Sequence, residues 1–225
     1  MVKAFLRDNG LTVFFGVLFL LSLAGQSVAG AFEFNNQQAA QGRAAVSYLH
    51  YLTTSDFAVD VAENWQSEFL QFFLYVYATV WLVQRGSTES KEPDMAGLES
   101  DEEQRIGRYA PPDAPRWARA GGIRLAVYSR SLGLAMCTIF LLSWLTQSVA
   151  GTAAYNAEQL GEYRDPVSWA GYVTSADFWS RSLQNWQSEF LAVASMAALS
   201  IYLRQRGSPE SKPVGTAHSA TGAEG

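Results

Sequence analysis

Four stretches of the chain are almost purely apolar, and polar segments separate them. They are residues 11–25 (LTVFFGVLFLLSLAG), 69–83 (FLQFFLYVYATVWLV), 132–146 (LGLAMCTIFLLSWLT) and 190–203 (FLAVASMAALSIYL). With its flanks, each approaches the ~20 residues that cross a bilayer as a helix. A helix of a soluble bundle keeps a polar face at helical spacing, whereas these segments are apolar nearly all round. The pattern predicts an all-α integral membrane protein with four transmembrane helices.

The pattern also occurs twice. Residues 11–91 align on residues 132–212 with a constant offset of 121 positions and no gap, at roughly 40% identity. The densest shared blocks are Gln26 to Gly30 with Gln147 to Gly151, Asn64 to Leu70 with Asn185 to Leu191, and Gln84 to Ser87 with Gln205 to Ser208. Glu89-Ser90-Lys91 recurs as Glu210-Ser211-Lys212. The unit of structure is therefore a two-helix hairpin. The chain divides into a first transmembrane hairpin at 1–91, a disordered cytoplasmic linker at 92–127, a second hairpin at 128–212 and a disordered tail at 213–225. The linker and tail are read as disordered because they are poor in apolar residues, and the linker is also charged and interrupted by proline.

Charge sets the orientation. Of the 16 Lys and Arg residues, only Arg43, Arg164 and Arg181 fall in the connections inside the hairpins. The others sit in the N-terminal segment, the linker and the C-terminal segment. The positive-inside rule places both termini and the linker in the cytoplasm. The hairpins then enter the membrane from the same side, as parallel repeats about a pseudo-two-fold axis along the membrane normal. Lys3 and Arg7 before an apolar run, with Ser27-Val28-Ala29 after it, would also suit a signal peptide. The recurrence of Gln-Ser-Val-Ala-Gly deep in the chain favours a retained helix.

Each connection inside a hairpin is about 35 residues, and its second half reads as helix. Thr53 with Asp56, and Thr174 with Asp177, offer a start resembling a capping box. No Gly or Pro follows until Gly86 and Gly207. That predicts outer-face extensions on helices of roughly 45 Å, longer than the ~30 Å hydrocarbon core, with Trp65 and Trp186 near the interface. The first half stays open between two forms. Either the first helix continues outward through residues 35–41, or a short surface helix follows it.

Composition agrees with a membrane class: charged residues are 16% and hydrophobic residues 48% of the chain, against a charged share of about 25% in soluble domains. The net charge of −5 gives no sign of a nucleic-acid partner. The single cysteine, Cys137, lies inside an apolar segment, where a packing role is expected.

Three sets of shared residues are candidates. Ser22, Gln26 and Gly30, repeated as Ser143, Gln147 and Gly151, form one stripe at a spacing of four. They read as a packing seam, with a polar cavity lined by Gln26 and Gln147 as the alternative. Glu68 and Glu189 are ionisable residues within spanning segments. Counting helical rise puts Glu68 at about 24 Å and Gln26 at about 22 Å from the cytoplasmic ends. Gln26, Glu68, Gln147 and Glu189 therefore form one expected polar layer, which either locks the hairpins together or binds a cation or proton. Gly86 and Gly207 suit a left-handed helix C-cap, while Arg85 and Arg206 complement the helix end and reach headgroup phosphate.

No HExxH, Walker A, GxSxG or paired-His haem motif is present, and His50 is the only histidine outside the tail. The reading is a non-enzyme with no metal and no cofactor. Its expected partners are the lipid bilayer and a second copy or another membrane protein. A structural or accessory role leads, and a small cation- or proton-coupled transporter using the Glu/Gln layer is the alternative. The duplicated blocks, with Tyr155-Asn156-x-x-Gln159 and its weaker counterpart Phe34 to Gln38, resemble a numbered domain-of-unknown-function family of bacterial integral membrane proteins. The resemblance covers about residues 1–212. It implies a four-helix inner-membrane protein and supplies no activity or catalytic residue.

Overall fold

The computed structural model describes residues 2–223, so the first residue of the first hairpin and the last two of the tail lie outside the described residues. The elements are α1 (Val2–Asp8), α2 (Gly10–Ala40), α3 (Tyr48–Tyr51), α4 (Ser55–Ala78), α5 (Gly122–Tyr128), α6 (Ser131–Gly161), α7 (Trp169–Val173) and α8 (Ala176–Tyr202), with two short 3₁₀ turns in the linker. Among the described residues there is no strand. Two helices, α2 and α6, are long and apolar enough to cross a membrane. Their most apolar windows are only 6% and 22% buried. The core helix of a soluble protein would be mostly buried, and exposed apolar surface of this extent marks contact with lipid or a partner. In α4 and α8 most charges lie in the N-terminal half, among them Asp56, Glu63, Asp177 and Arg181, while Glu68 lies just past the middle of α4 and Glu189 at the middle of α8.

The open form of the first connection resolves as both alternatives together. Helix α2 runs on to Ala40 and the short α3 follows; α6 and α7 do the same. Each long helix ends in a turn whose next residue but one reaches back. The Arg43 amide donates to the Gln38 carbonyl at 2.8 Å, and Arg164 to Gln159 at 2.8 Å. This six-to-one bond needs a left-handed residue before it. Gly42 (φ 69°) supplies it in the first copy, and Tyr163 (φ 60°) in the second.

The returning chain is then pinned to the helix it left. Asn35 Oδ1 accepts from the Val46 amide at 2.8 Å, and Asn35 Nδ2 donates to the Val46 carbonyl at 3.0 Å. Asn156 holds both backbone groups of Val167 in the same way, at 2.8 and 2.9 Å. Ser47 caps α3 by accepting from the His50 amide, and Ser168 caps α7 by accepting from the Gly171 amide.

The short helix docks on the shared Gln-Ser-Val-Ala-Gly block. Tyr51 and Tyr172 are buried against Gly30 and Gly151. A methyl group built on Gly30 would lie 2.1 Å from the Tyr51 hydroxyl, and one on Gly151 2.5 Å from that of Tyr172. Ser27 shares a 2.7 Å hydrogen bond with the Tyr48 hydroxyl, and Ser148 accepts from the Trp169 indole at 3.1 Å. Burial first, then Asp60 and Asp56, raise the Tyr51 phenol above its ordinary range, so it stays protonated at neutral pH.

Two details of the capping scheme are corrected. Helix α4 begins one residue later than the expected Thr53 start. Thr54 Oγ1 accepts from the Phe57 amide, while Thr53 donates to the His50 carbonyl at the end of α3. At its other end α4 stops at Ala78 and α8 at Tyr202, so neither runs to Gly86 or Gly207. The Thr79 hydroxyl bonds the Tyr75 carbonyl at 2.9 Å, and the β-branched pair Thr79-Val80 weakens continuation. In α8 the Arg204 guanidinium bonds the Ser200, Ile201 and Leu203 carbonyls. The basic side chain that satisfies this helix end is thus Arg204 rather than Arg206.

Replacing Gly30 by Ala is expected to lower stability by about 1–3 kcal/mol through overpacking against Tyr51. Gly25→Ala on the same helix, where nothing lies within 4 Å of the added methyl, should be neutral or stabilising. Thermal unfolding of the two variants in detergent checks this, and an equal response from both would contradict the docking role of Gly30.

Candidate functional site

The chain forms two compact units: Met1–Ala62 with Thr146–Ser175, and Glu63–Leu145 with Ala176–Gly225. The first contains the two pinned connections just described. Within it Arg43 lies against Gly161, where a methyl group would come within 2.7 Å of the guanidinium. Arg164, the matching residue, instead pairs with Glu162 at 2.9 Å. Shared identity has therefore not given these two arginines the same surroundings.

In the second unit, the shared Asn-Trp-Gln-Ser-Glu block places Gln66 on α4 and Trp186 on α8. Gln66 is fully buried. Its Oε1 accepts from the Trp186 indole at 2.7 Å, and its Nε2 donates to the Glu63 carbonyl at 3.1 Å. Burying an amide is costly unless both ends find partners, and here both do. Above this bond, Arg181 reaches Glu63 at 3.3 Å and Asp177 at 3.5 Å, one turn back on its own helix. Trp186 also meets Trp144 and Trp179 at ring separations of 6.2 and 6.3 Å, and Trp144 stacks on Phe140 and Phe178. Aromatic contacts of this kind add about 0.5–1.5 kcal/mol each beyond area burial. The counterparts of Trp144 and Trp179 are Leu23 and Ala58, so the cluster belongs to the second copy.

Of the residues of the expected polar layer, Gln26 and Gln147 belong to the first unit and Glu68 and Glu189 to the second. Gln147 is buried and Gln26 exposed; Glu189 is half-buried and Glu68 exposed. Glu189 lies within electrostatic reach of Glu68. The equivalence expected from a two-fold axis is not kept in burial. Ser143 is likewise buried while Ser22 is exposed. Gly30 and Gly151, read as places where long helices approach, receive tyrosine rings from α3 and α7 instead.

The third candidate set forms a loop of its own. The Ser87 amide donates to the Gln84 carbonyl and the Ser208 amide to Gln205, both at 3.1 Å. Gly86 (φ 86°) and Gly207 (φ 82°) occupy the third position of these turns, as a type II turn requires. The left-handed glycine is present, but it closes a separate turn beyond the helix, which corrects its reading as a helix C-cap. Arg85 and Arg206 are exposed.

Sequence reasoning missed what the following lysines do. Lys91 donates to the Gly97 carbonyl at 2.8 Å and pairs with Glu99. The Lys91 bond to Glu99, foremost, holds the Glu99 carboxyl below its ordinary range. Lys212 is buried, and its ammonium donates to the carbonyls of Gly86, His218 and Ala220 at 2.6, 2.9 and 3.0 Å. Burial first, and Arg204 second, push this ammonium down; the surrounding carbonyls favour its charged form. Thr221 and Gly222 add bonds to Gly86 and Ser87. The tail read as disordered is therefore tethered through backbone carbonyls, which composition does not register. The linker is built of turns and 3₁₀ segments followed by most of α5.

Asn35, Val46, Ser47 and Tyr51 were also missed as a set. Their signal was present, because all four are identical in both copies. Among the described residues no group of three or more His, Cys, Asp or Glu side chains could hold a metal ion. The returning chain is held to its helices through neutral amides, hydroxyls and rings, while Arg181 with Glu63 and the Lys212 ammonium add charged contacts in the second unit.

The Gln66–Trp186 bond gives a direct prediction. Trp186→Phe should destabilise the protein by about 1–3 kcal/mol by leaving a buried amide oxygen without this donor. Adding Gln66→Leu should recover part of the loss, and a double-mutant cycle on thermal unfolding measures the coupling. Additive effects would mean that the bond contributes nothing.

No curated protein and no solved structure matches the chain. A family model described as a domain of unknown function, DUF6766, matches residues 2–223. The match takes in both copies, the linker and the tethered tail. The chain belongs to the DUF6766 family.

Proposed function

We propose that the chain is a four-pass protein of the cytoplasmic membrane, with both termini inside, and that its role is structural or accessory. It presents two rigid outer-face hairpins for assembly with itself or with another membrane protein. One observation carries the reading. The residues kept in both copies, Ser27, Gly30, Asn35, Ser47, Tyr51 and their counterparts, close each connection onto its own helix. A duplicated element that is stiffened in this way suits a surface for other proteins.

The four passes rest on a topological argument. If α2 leaves the cytoplasm and the arginine-rich linker lies inside, the chain must return before α6 begins. The apolar run 69–83, which includes α4 from Phe69 and five further residues, is the segment suited to that return, and residues 190–203 repeat it. Arg85 and Arg206 then sit at the inner headgroups.

A second reading is favoured by the electrostatic proximity of Glu189 to Glu68. In it the pair takes part in binding or moving a cation or proton.

Two measurements decide between these readings. In a Cys137→Ser background, a single cysteine at Gln41 or Glu162 should react with an impermeant maleimide added to intact cells, and one at Glu102 only after permeabilisation. Labelling of position 102 from outside would contradict four passes and leave α2 and α6 as the spans. Purified protein in liposomes should show no proton or cation flux. A flux that disappears in a folded Glu68→Gln, Glu189→Gln variant would support the transport reading instead.

A further inference from the structure

The segment from Arg116 to Arg130 spans the end of the linker and the first residues of the second hairpin. It contains α5, which is separated from the long apolar α6 by Ser129 and Arg130. On α5, Ile123 and Val127 are one helical turn apart and share a face. Ile123 is 80% exposed and Val127 is also exposed. Trp117, 48% exposed, meets the exposed Tyr128 ring edge-on at 6.5 Å. Arg116, Arg119, Arg124 and Arg130 are all exposed. Among the described residues no acidic side chain forms an ion pair with them. The sequence has no Asp or Glu from Ala114 to Ala157. An apolar stripe flanked by guanidinium groups that have no acidic partner, running directly into a helix able to span a bilayer, is the arrangement of an in-plane interfacial helix. Trp and Tyr favour the same depth because each has an apolar body and a polar edge.

We propose that residues 116–130 dock on the anionic inner surface of the membrane. Ile123, Val127 and Trp117 enter the headgroup boundary, and the four arginines bind lipid phosphates. The partner is an anionic bilayer rather than a protein, because the charge is of one sign and the patch is continuous with α6. Docking fixes where the linker leaves the membrane and the depth at which α6 enters it. The inference rests on the membrane reading above and adds a lipid-specific contact to it.

The test uses the full chain with Cys137→Ser and a polarity-sensitive fluorophore on Ala126→Cys, an exposed position on α5. The protein is reconstituted into liposomes of phosphatidylcholine, with or without phosphatidylglycerol, and washed with alkaline carbonate. The expected result is retention in both, with blue-shifted emission in the anionic liposomes. That shift should be reversed by high salt and lost when Arg116, Arg119, Arg124 and Arg130 are all changed to Gln. Release of the protein by carbonate would overturn the membrane reading together with this inference. Retention with the same emission in both lipids would overturn the inference alone. A shift that follows protein density rather than lipid charge would also overturn it, and would identify a protein as the occupant.

Discussion

A helix that ends outside an apolar layer leaves backbone carbonyls without partners, and a chain that reverses there adds further unpaired groups. Every such group needs a partner or it destabilises the fold. The bidentate amide of Asn35 on Val46, and of Asn156 on Val167, meets this requirement at both reversals. It joins residues 11 positions apart with one side chain, using a donor and an acceptor in the geometry of a strand pair. The serine that caps the next short helix is the following residue, and the tyrosine that fills the glycine notch comes four residues after that. Once the asparagine bridge sets the register of the return, the cap and the notch fall into place.

The two copies use this device alike and differ in most other respects. The second copy carries the aromatic cluster around Trp144 and the indole that satisfies Gln66, and it buries Ser143 and Gln147 where the first leaves Ser22 and Gln26 exposed. Its left-handed turn residue is Tyr163, and the backbone strain of a side chain there is of order 1 kcal/mol. The two copies thus keep the same lock and diverge in burial and aromatic content.

The apolar runs were legible because lipid requires about 20 apolar residues regardless of tertiary detail, and α2 and α6 follow from them. The ends of α4 and α8 were not legible from the absence of Gly and Pro. Thr79 and Arg204 engage the last carbonyls, and the chain turns before it reaches the glycine. The glycine's left-handed conformation was legible because φ near +85° excludes most side chains, whereas its place in a separate turn was not. Asn35 and Tyr51 were overlooked because each looks ordinary alone. Their meaning lies in partners 11 and 21 residues away, and the recurrence of both residues in the second copy was the available clue. The Lys212 tether leaves no trace in composition, since its acceptors are backbone carbonyls that every residue carries.

The asparagine bridge is tested most directly by residue-resolved amide hydrogen exchange on the protein in detergent or nanodiscs. Val46 and Val167 lie in irregular chain just outside the helices, where amides ordinarily exchange quickly. The account predicts that both are protected to a similar degree, as strongly as amides in the adjoining ends of α2 and α6, with Ala44 and Asp165 exchanging much faster. Fast exchange at Val46 and Val167, at the rate of those neighbours, would contradict it.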